Sequence, residues 1–208
     1  MKSNLTDTAK TSGKTYIIWA HPRADSLTAQ VVDALKKQAA SQKMDVAELD
    51  LYRTGFDPSL GTEDEPDWQN PNKIYSEEVR TLFAELADVD NIIVVFPLWW
   101  YSMPAILKGY FDRVWNYGLA YGRGQRIPAR SIRWISLVGG AQDKFETQSK
   151  DAYMNDLLTS MALYGGIEDS KVEYLYNTIG VEEDIQNPGE HHKQLIEQAK
   201  KVVVSLAQ

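Results

Sequence analysis

Five short runs of β-branched and aromatic residues alternate along the chain with longer amphipathic stretches, and that alternation constrains the fold more than any other feature. It is the pattern of βα units laid around a parallel sheet. Strands are expected over 16–20, 45–50, 91–96, 132–138 and 171–176; the third and fourth are apolar on both faces, which makes them central. Helices are expected over 27–40, 77–87, 104–116, 152–164 and 191–206, with Val31, Leu35 and Ala39 recurring at helical spacing. Right-handed crossovers then admit a doubly wound α/β fold, five parallel strands in the order 2-1-3-4-5 with helices on both faces. The order reverses between the first and third strands, so a ligand is expected there.

Composition narrows the function classes. With 208 residues and 43% hydrophobic content the chain can bury one sizeable core, and no repeat or low-complexity segment divides it. A polar tail over 1–14 and a single domain over 15–208 are expected. The absence of cysteine excludes disulfides, thiolate metal sites and thiol redox chemistry, so any electron transfer needs a bound carrier. A formal net charge of -7 opposes nucleic acid and anionic membranes. The first 14 residues lack the apolar run of a signal peptide, and the longest apolar run, 92–101, is too short to cross a bilayer. The chain reads as cytoplasmic and not membrane-embedded. His191 and His192 read as a solvated helix start, and no metal is assigned.

Topology directs attention to the segments leaving the strands. After the first comes His21-Pro22-Arg23-Ala24-Asp25-Ser26-Leu27-Thr28, which delivers two hydroxyls to a helix N-terminus suited to a phosphate. The loop carries no dinucleotide-fold or P-loop glycine motif. Ser26 or Thr28 can equally serve only as a helix cap, and His21 can donate to phosphate, act as a base, or be satisfied by backbone. After the third strand comes Pro97-Leu98-Trp99-Trp100-Tyr101, whose aromatics either plug the core or wall a planar ligand such as an isoalloxazine. After the fourth, Val138-Gly139-Gly140 allows close backbone approach or makes a simple turn, and Phe145 follows a polar loop onto the same edge. Residues 52–75, with Gly55, Pro58, Gly61, Pro66 and Pro71, form a loop long enough to cover a site.

Residues 96–114, reading FPLWWYSMPAILKGYFDRV, resemble the signature of the NAD(P)H:quinone oxidoreductase family, near its short bacterial members. Trp19-Ala20-His21-Pro22, Asp50-Leu51-Tyr52, Asp57-Pro58, Leu119-Ala120-Tyr121-Gly122 and Val138-Gly139-Gly140 extend the resemblance along most of the chain. It implies a flavodoxin-like fold, a homodimer, and non-covalent FAD or FMN, with FAD favoured from Leu27-Thr28. It places His21, Ser26, Leu27 and Thr28 around the flavin phosphate, Pro97 to Tyr101 along the isoalloxazine, and Val138, Gly139 and Gly140 on its far edge. The implied activity is ping-pong hydride transfer from NAD(P)H as co-substrate to a quinone, azo or nitroaromatic acceptor. The animal enzymes carry a tyrosine and a histidine after the glycine pair; here those positions hold Phe145 and, compared without gaps, Asp151, so that proton relay does not transfer: either water or another group such as Tyr121 donates, or quinone turnover is slow. In a homodimer, Tyr121 and the 52–75 loop would close the pocket from the partner. Arg123, Arg126 and Arg130 either meet a 2′-phosphate or form a solvated basic loop. Two other functions stay open: an ancillary subunit of a potassium-efflux-type transporter, and a one-electron carrier.

Overall fold

The computed structural model describes residues 13–70, 72–181 and 185–207; the polar tail read from the sequence lies, to residue 12, outside the described residues. Their chain order is β1 (Thr15–Trp19), α1 (Leu27–Ser41), β2 (Val46–Asp50), α2 (Glu77–Ala84), β3 (Asn91–Pro97), α3 (Ala105–Val114), β4 (Ser131–Leu137), α4 (Gln142–Thr147), α5 (Lys150–Tyr164), β5 (Asp169–Leu175) and α6 (Pro188–Leu206). All neighbouring strands pair in parallel, in the order β2-β1-β3-β4-β5.

Strand periodicity of two divides the apolar residues between two cores. Ile17, Trp19, Ile93, Val95, Ile135 and Leu137 face Val31 and Leu35 of α1 and Leu195 and Ala199 of α6. Their neighbours Ile18, Ile92, Val94, Phe96 and Trp134 face the opposite layer, where Leu107, Tyr110 and Phe111 of α3 meet Met154 and Leu158 of α5. β3 and β4 are buried nearly throughout, as expected, and β1 is buried with them. The ring of Trp19 is accommodated there because its Nε1 donates to Glu48 Oε1 on β2 at 2.9 Å.

Three local expectations change. The polar stretch ahead of Phe145, read as loop, instead begins α4, which runs on to Thr147; this short helix buries only Phe145, too little for a periodic signal. α6 starts three residues earlier than expected, with Pro188 in its first turn and the Asn187 side chain accepting from the Glu190 N–H at 3.2 Å. The histidines that follow are therefore not a solvated start: His191 Nε2 lies 3.2 Å from the Tyr176 carbonyl and His192 Nε2 3.1 Å from that of Thr178.

The 52–75 stretch, residue 71 apart, lies against α3. A Cβ at Gly109 would fall 2.3 Å from the Pro58 carbonyl oxygen, so only glycine lets the loop pass so closely. Buried Arg113 holds it there, donating to Asp64 Oδ2 at 2.8 Å, to Glu78 Oε2 at 2.7 Å and to the Asp57 carbonyl. The Asn116 amide adds a bond to the Asp64 carbonyl at 2.6 Å. Burial alone would raise the Asp64 carboxyl, but the guanidinium and the N–H and hydroxyl of Ser76 hold it below the ordinary carboxylate value.

Candidate functional site

A two-lobed trough runs along the carboxyl edge of β1, β3, β4 and β5. One lobe, about 510 Å³, includes His21, Ser26, Thr28, Pro97, Leu137 and Thr178; the other, about 630 Å³, begins at their successors Leu98, Val138 and Ile179. The lobes therefore adjoin along three strand exits. Crossing from β1 to β3 at the reversal of strand order is what opens this edge.

The first lobe is built on the start of α1. Ser26 is the N-cap and accepts from the Ala29 N–H at 3.2 Å, which realises the capping role and leaves its hydroxyl hydrogen available to donate. The Leu27 and Thr28 N–H groups have no backbone partner among the described residues. Arg53, at the exit of β2, donates to the carbonyls of His21 and Pro22 and lies over the Trp19 ring, fixing the path of the loop from the far side. His21 Nδ1 accepts from the Arg23 N–H at 3.1 Å, so the neutral ring carries its proton on Nε2. Partial burial, with Arg23 and Arg53 nearby, holds His21 below its ordinary pKa. At neutral pH it is an uncharged donor beside a helix N-terminus.

The second lobe has aromatic walls. Trp99 and Ser102 exchange N–H···O bonds of 2.9 and 3.0 Å, closing a two-residue turn in which Trp100 and Tyr101 have φ of 50° and 57°. That is the φ pattern of a type I′ turn, where asparagine and glycine are the usual occupants. Two bulky aromatics take their place, and Trp100 is 96% exposed. The core-plug alternative is thereby excluded. Across the lobe, the Gly139 and Gly140 N–H groups have no backbone partner among the described residues, and a Cβ at Gly140 would meet nothing within 4 Å. Phe145 is buried behind them against Tyr174 and Tyr176. Burial raises both tyrosine hydroxyls, that of Tyr176 to about 12.

Backbone strain gathers at the same edge. Among the described residues six non-glycines have left-handed φ, and four of them, Trp100, Tyr101, Ser149 and Asn177, border the trough or adjoin a residue that lines it. Such conformations persist where surrounding structure enforces them and cluster at functional sites.

The structure thus brings together His21, Ser26, Leu27, Thr28 and Pro97 in one lobe and Leu98, Trp100, Tyr101, Val138, Gly139, Gly140 and Phe145 in the other. Trp99 lines neither but stands between them, its ring 6.0 Å from His21. Tyr121 is elsewhere within the chain: it lines a separate hollow with Leu60, Pro66, Trp115 and Tyr164, and packs at a tilt against the exposed Tyr164 ring, centroids 4.9 Å apart. The 52–75 loop contributes to that hollow and to neither lobe of the trough, and Arg123, Arg126 and Arg130 also line neither lobe. Missed from the sequence were Lys144, Gln148 and Lys150 around α4 and the β5 exit at Thr178 and Ile179. The strand order alone pointed to that exit, since β5 lies beside β4.

Three comparisons bear on this geometry. The family described as flavodoxin-like fold matches residues 13–199. An uncharacterised NAD(P)H oxidoreductase of Escherichia coli, YcaK, is 47% identical over 195 residues, covering 94% of this chain and 99% of the relative. Among solved structures, an NAD(P)H:quinone oxidoreductase from Methanothermobacter marburgensis superposes with a TM-score of 0.85 at 25% identity, over 95% of this chain and 98% of that one. A Bacillus anthracis FMN-dependent NADH-azoreductase, solved with FMN, shares the fold with a TM-score of 0.68 at 19% identity, over 94% of this chain and 100% of that one.

Proposed function

The chain belongs to the flavodoxin-like fold family, among its NAD(P)H oxidoreductases, and from that premise we propose that the trough binds FMN or FAD and passes reducing equivalents from NAD(P)H to a quinone-like acceptor. The observation that carries this reading is the second lobe: an open Gly140 and glycine N–H groups without a backbone partner among the described residues, facing strained, exposed aromatics. A protein needing only a turn there would gain stability from other residues.

The residues present fit a flavin. Ser26, Thr28, the α1 N-terminus and His21 Nε2–H offer donors to a phosphate. Leu98, Val138 and Phe145 give apolar cover to a ring, and the Gly139 and Gly140 N–H groups offer donors to its polar edge. When bound, the flavin supplies the hydride chemistry. The protein orients the stack and admits donor and acceptor in turn to the same face, a ping-pong sequence. Phe145 brings no hydroxyl, so the acceptor's proton comes from water reaching the open hollow. The reading includes a cytoplasmic location, where NAD(P)H is held, and a homodimer. Trp68, Tyr153, Leu163 and Tyr164 are large exposed apolar side chains, and Leu60 and Tyr164 line the second hollow with Tyr121.

The test is an absorbance spectrum of the purified protein before and after anaerobic NADH or NADPH. Oxidised flavin bands that bleach with nucleotide and return with a quinone are expected. A colourless protein that takes up neither FMN nor FAD would sink the proposal.

A further inference from the structure

The second lobe carries a charge opposite to that of the protein around it. The chain as a whole has a formal charge of -7, yet this hollow is lined by Lys144 and Lys150 and by no carboxylate. Neither ammonium forms an ion pair among the described residues. Lys150 instead holds its Nζ 3.5 Å from the centroid of the Tyr101 ring, one of the aromatic walls.

The placement of Lys150 also opposes local stability. It is the first residue of α5, where the helix dipole disfavours a cation. The preceding N-cap, Ser149, has a left-handed φ of 54° and makes no side-chain cap bond, so α5 adds its own positive end to the hollow. Asp151 lies in that first turn but does not line the hollow. A bound anion would give these groups the counter-charge the protein withholds.

We propose that the acceptor admitted to this hollow against the flavin face is a planar aromatic bearing a carboxylate or sulfonate, with Lys144 and Lys150 holding the anionic substituent while its ring lies beside Trp100 and Tyr101. The inference rests on the oxidoreductase reading above and names its substrate class. The overall reaction balances without another reactant: NAD(P)H gives a hydride, water-borne H⁺ gives the proton, and the quinone leaves as hydroquinone with NAD⁺ or NADP⁺ as the other product.

The test compares a naphthoquinone sulfonate with menadione, which has no charge, in the flavin-loaded wild type, K144M/K150M and K144R/K150R. An ammonium about 6 Å from an anion in a water-like dielectric is worth roughly threefold, so the two together should favour the sulfonate about tenfold. The kcat/KM ratio of sulfonate to menadione should fall by about that factor in the methionine variant and survive in the arginine variant. The wild-type preference should fade as salt rises from about 0.05 to about 0.5 M. A second readout does not need turnover: the Kd ratio of the two quinones, from tryptophan quenching without nucleotide, should move in parallel. An unchanged Kd ratio in K144M/K150M overturns the proposal, as does a change confined to NADPH against NADH. If neither quinone is reduced while the Kd ratio shifts as expected, it is the oxidoreductase reading that fails and the anion site that stands.

Discussion

Replacing Gly140 separates what the fold needs from what the site needs. A Cβ there meets no atom within 4 Å, and its φ lies outside the left-handed range, so alanine fits the free protein. By restricting the unfolded chain the substitution should stabilise it by about 0.4–1 kcal/mol. For a domain of this size that is a rise in Tm of about 1–4 °C. In the hollow the effect has the opposite sign, because the added atoms occupy the space where a flavin ring would lie. Overpacking costs about 1–3 kcal/mol, which for Gly140→Val amounts to roughly 5- to 150-fold in flavin Kd, with Gly140→Ala at the lower end. Thermal unfolding of flavin-free protein reads the first effect, and titration of FMN and FAD by fluorescence quenching reads the second. Gly139→Ala is the contrast, since its Cβ would lie 2.9 Å from Ile179 Cδ1 and so must displace that exposed side chain at the rim of the hollow. A Gly140→Val protein that binds flavin within twofold of wild type, or a Gly140→Ala protein with a lowered Tm, would refute the reasoning.

Arg113→Met should lower stability by about 3–5 kcal/mol in urea unfolding, because it strands the buried Asp64 carboxylate. In the wild type the Asp64 carboxyl is held below its unfolded value, so its contribution is present above about pH 4 and lost as pH falls through the folded value. In the variant, protonation relieves the stranded charge, so the gap to wild type should narrow on acidification. His21 is held low by burial, so the free protein should lose its contribution as pH falls below about 6.5. A phosphate beside the ring would reverse that, and FMN affinity should tighten several-fold between about pH 8 and about pH 6, while riboflavin affinity and the His21→Asn variant should show no such trend. Leu163→Arg or Tyr164→Arg, both at exposed sites, should leave the fold intact and give a monomer by sedimentation; a dimeric variant would remove that face from the proposed homodimer.

The sequence made legible whatever is encoded in contiguous residues. The buried strands stand out because each carries its own apolar run, and Trp99 to Tyr101 stand out because three aromatics follow one such run directly. α4 was hidden because six residues with one buried side chain carry no period. Lys144 and Lys150 were hidden with it, since their approach to Leu98 and Tyr101 depends on where that short helix points. The roles of Arg53 and Arg113 were invisible for a different reason. Arg53 bonds carbonyls 31 and 32 residues away, and Arg113 a carboxylate 49 residues away, separations no local pattern reports. Tyr121 shows the limit of motif position: the resemblance sets it near the flavin, while a single chain sets it in another hollow. A dimer would reconcile the two by bringing one protomer's Tyr121 to the trough of its partner.

The local rules that hold along β1, β3 and β4 are broken at their carboxyl ends, and the breaks have an estimable cost. A left-handed non-glycine residue costs roughly 1–2 kcal/mol, so Trp100 and Tyr101 together forgo about 2–4. Trp100→Asn with Tyr101→Gly would install the residues a type I′ turn prefers. Little packing is lost at Trp100, which is almost fully exposed, and the half-exposed Tyr101 ring forfeits its contact with Lys150, about 0.5–1 kcal/mol. The double variant should therefore be more stable than wild type by roughly 1–3 kcal/mol, a Tm higher by about 5 °C, while losing flavin and acceptor affinity. Stability and binding that fall together would mean the turn serves the fold. Stability that rises as binding falls would mean that the chain keeps two aromatics in a conformation they resist because a planar ligand needs their faces.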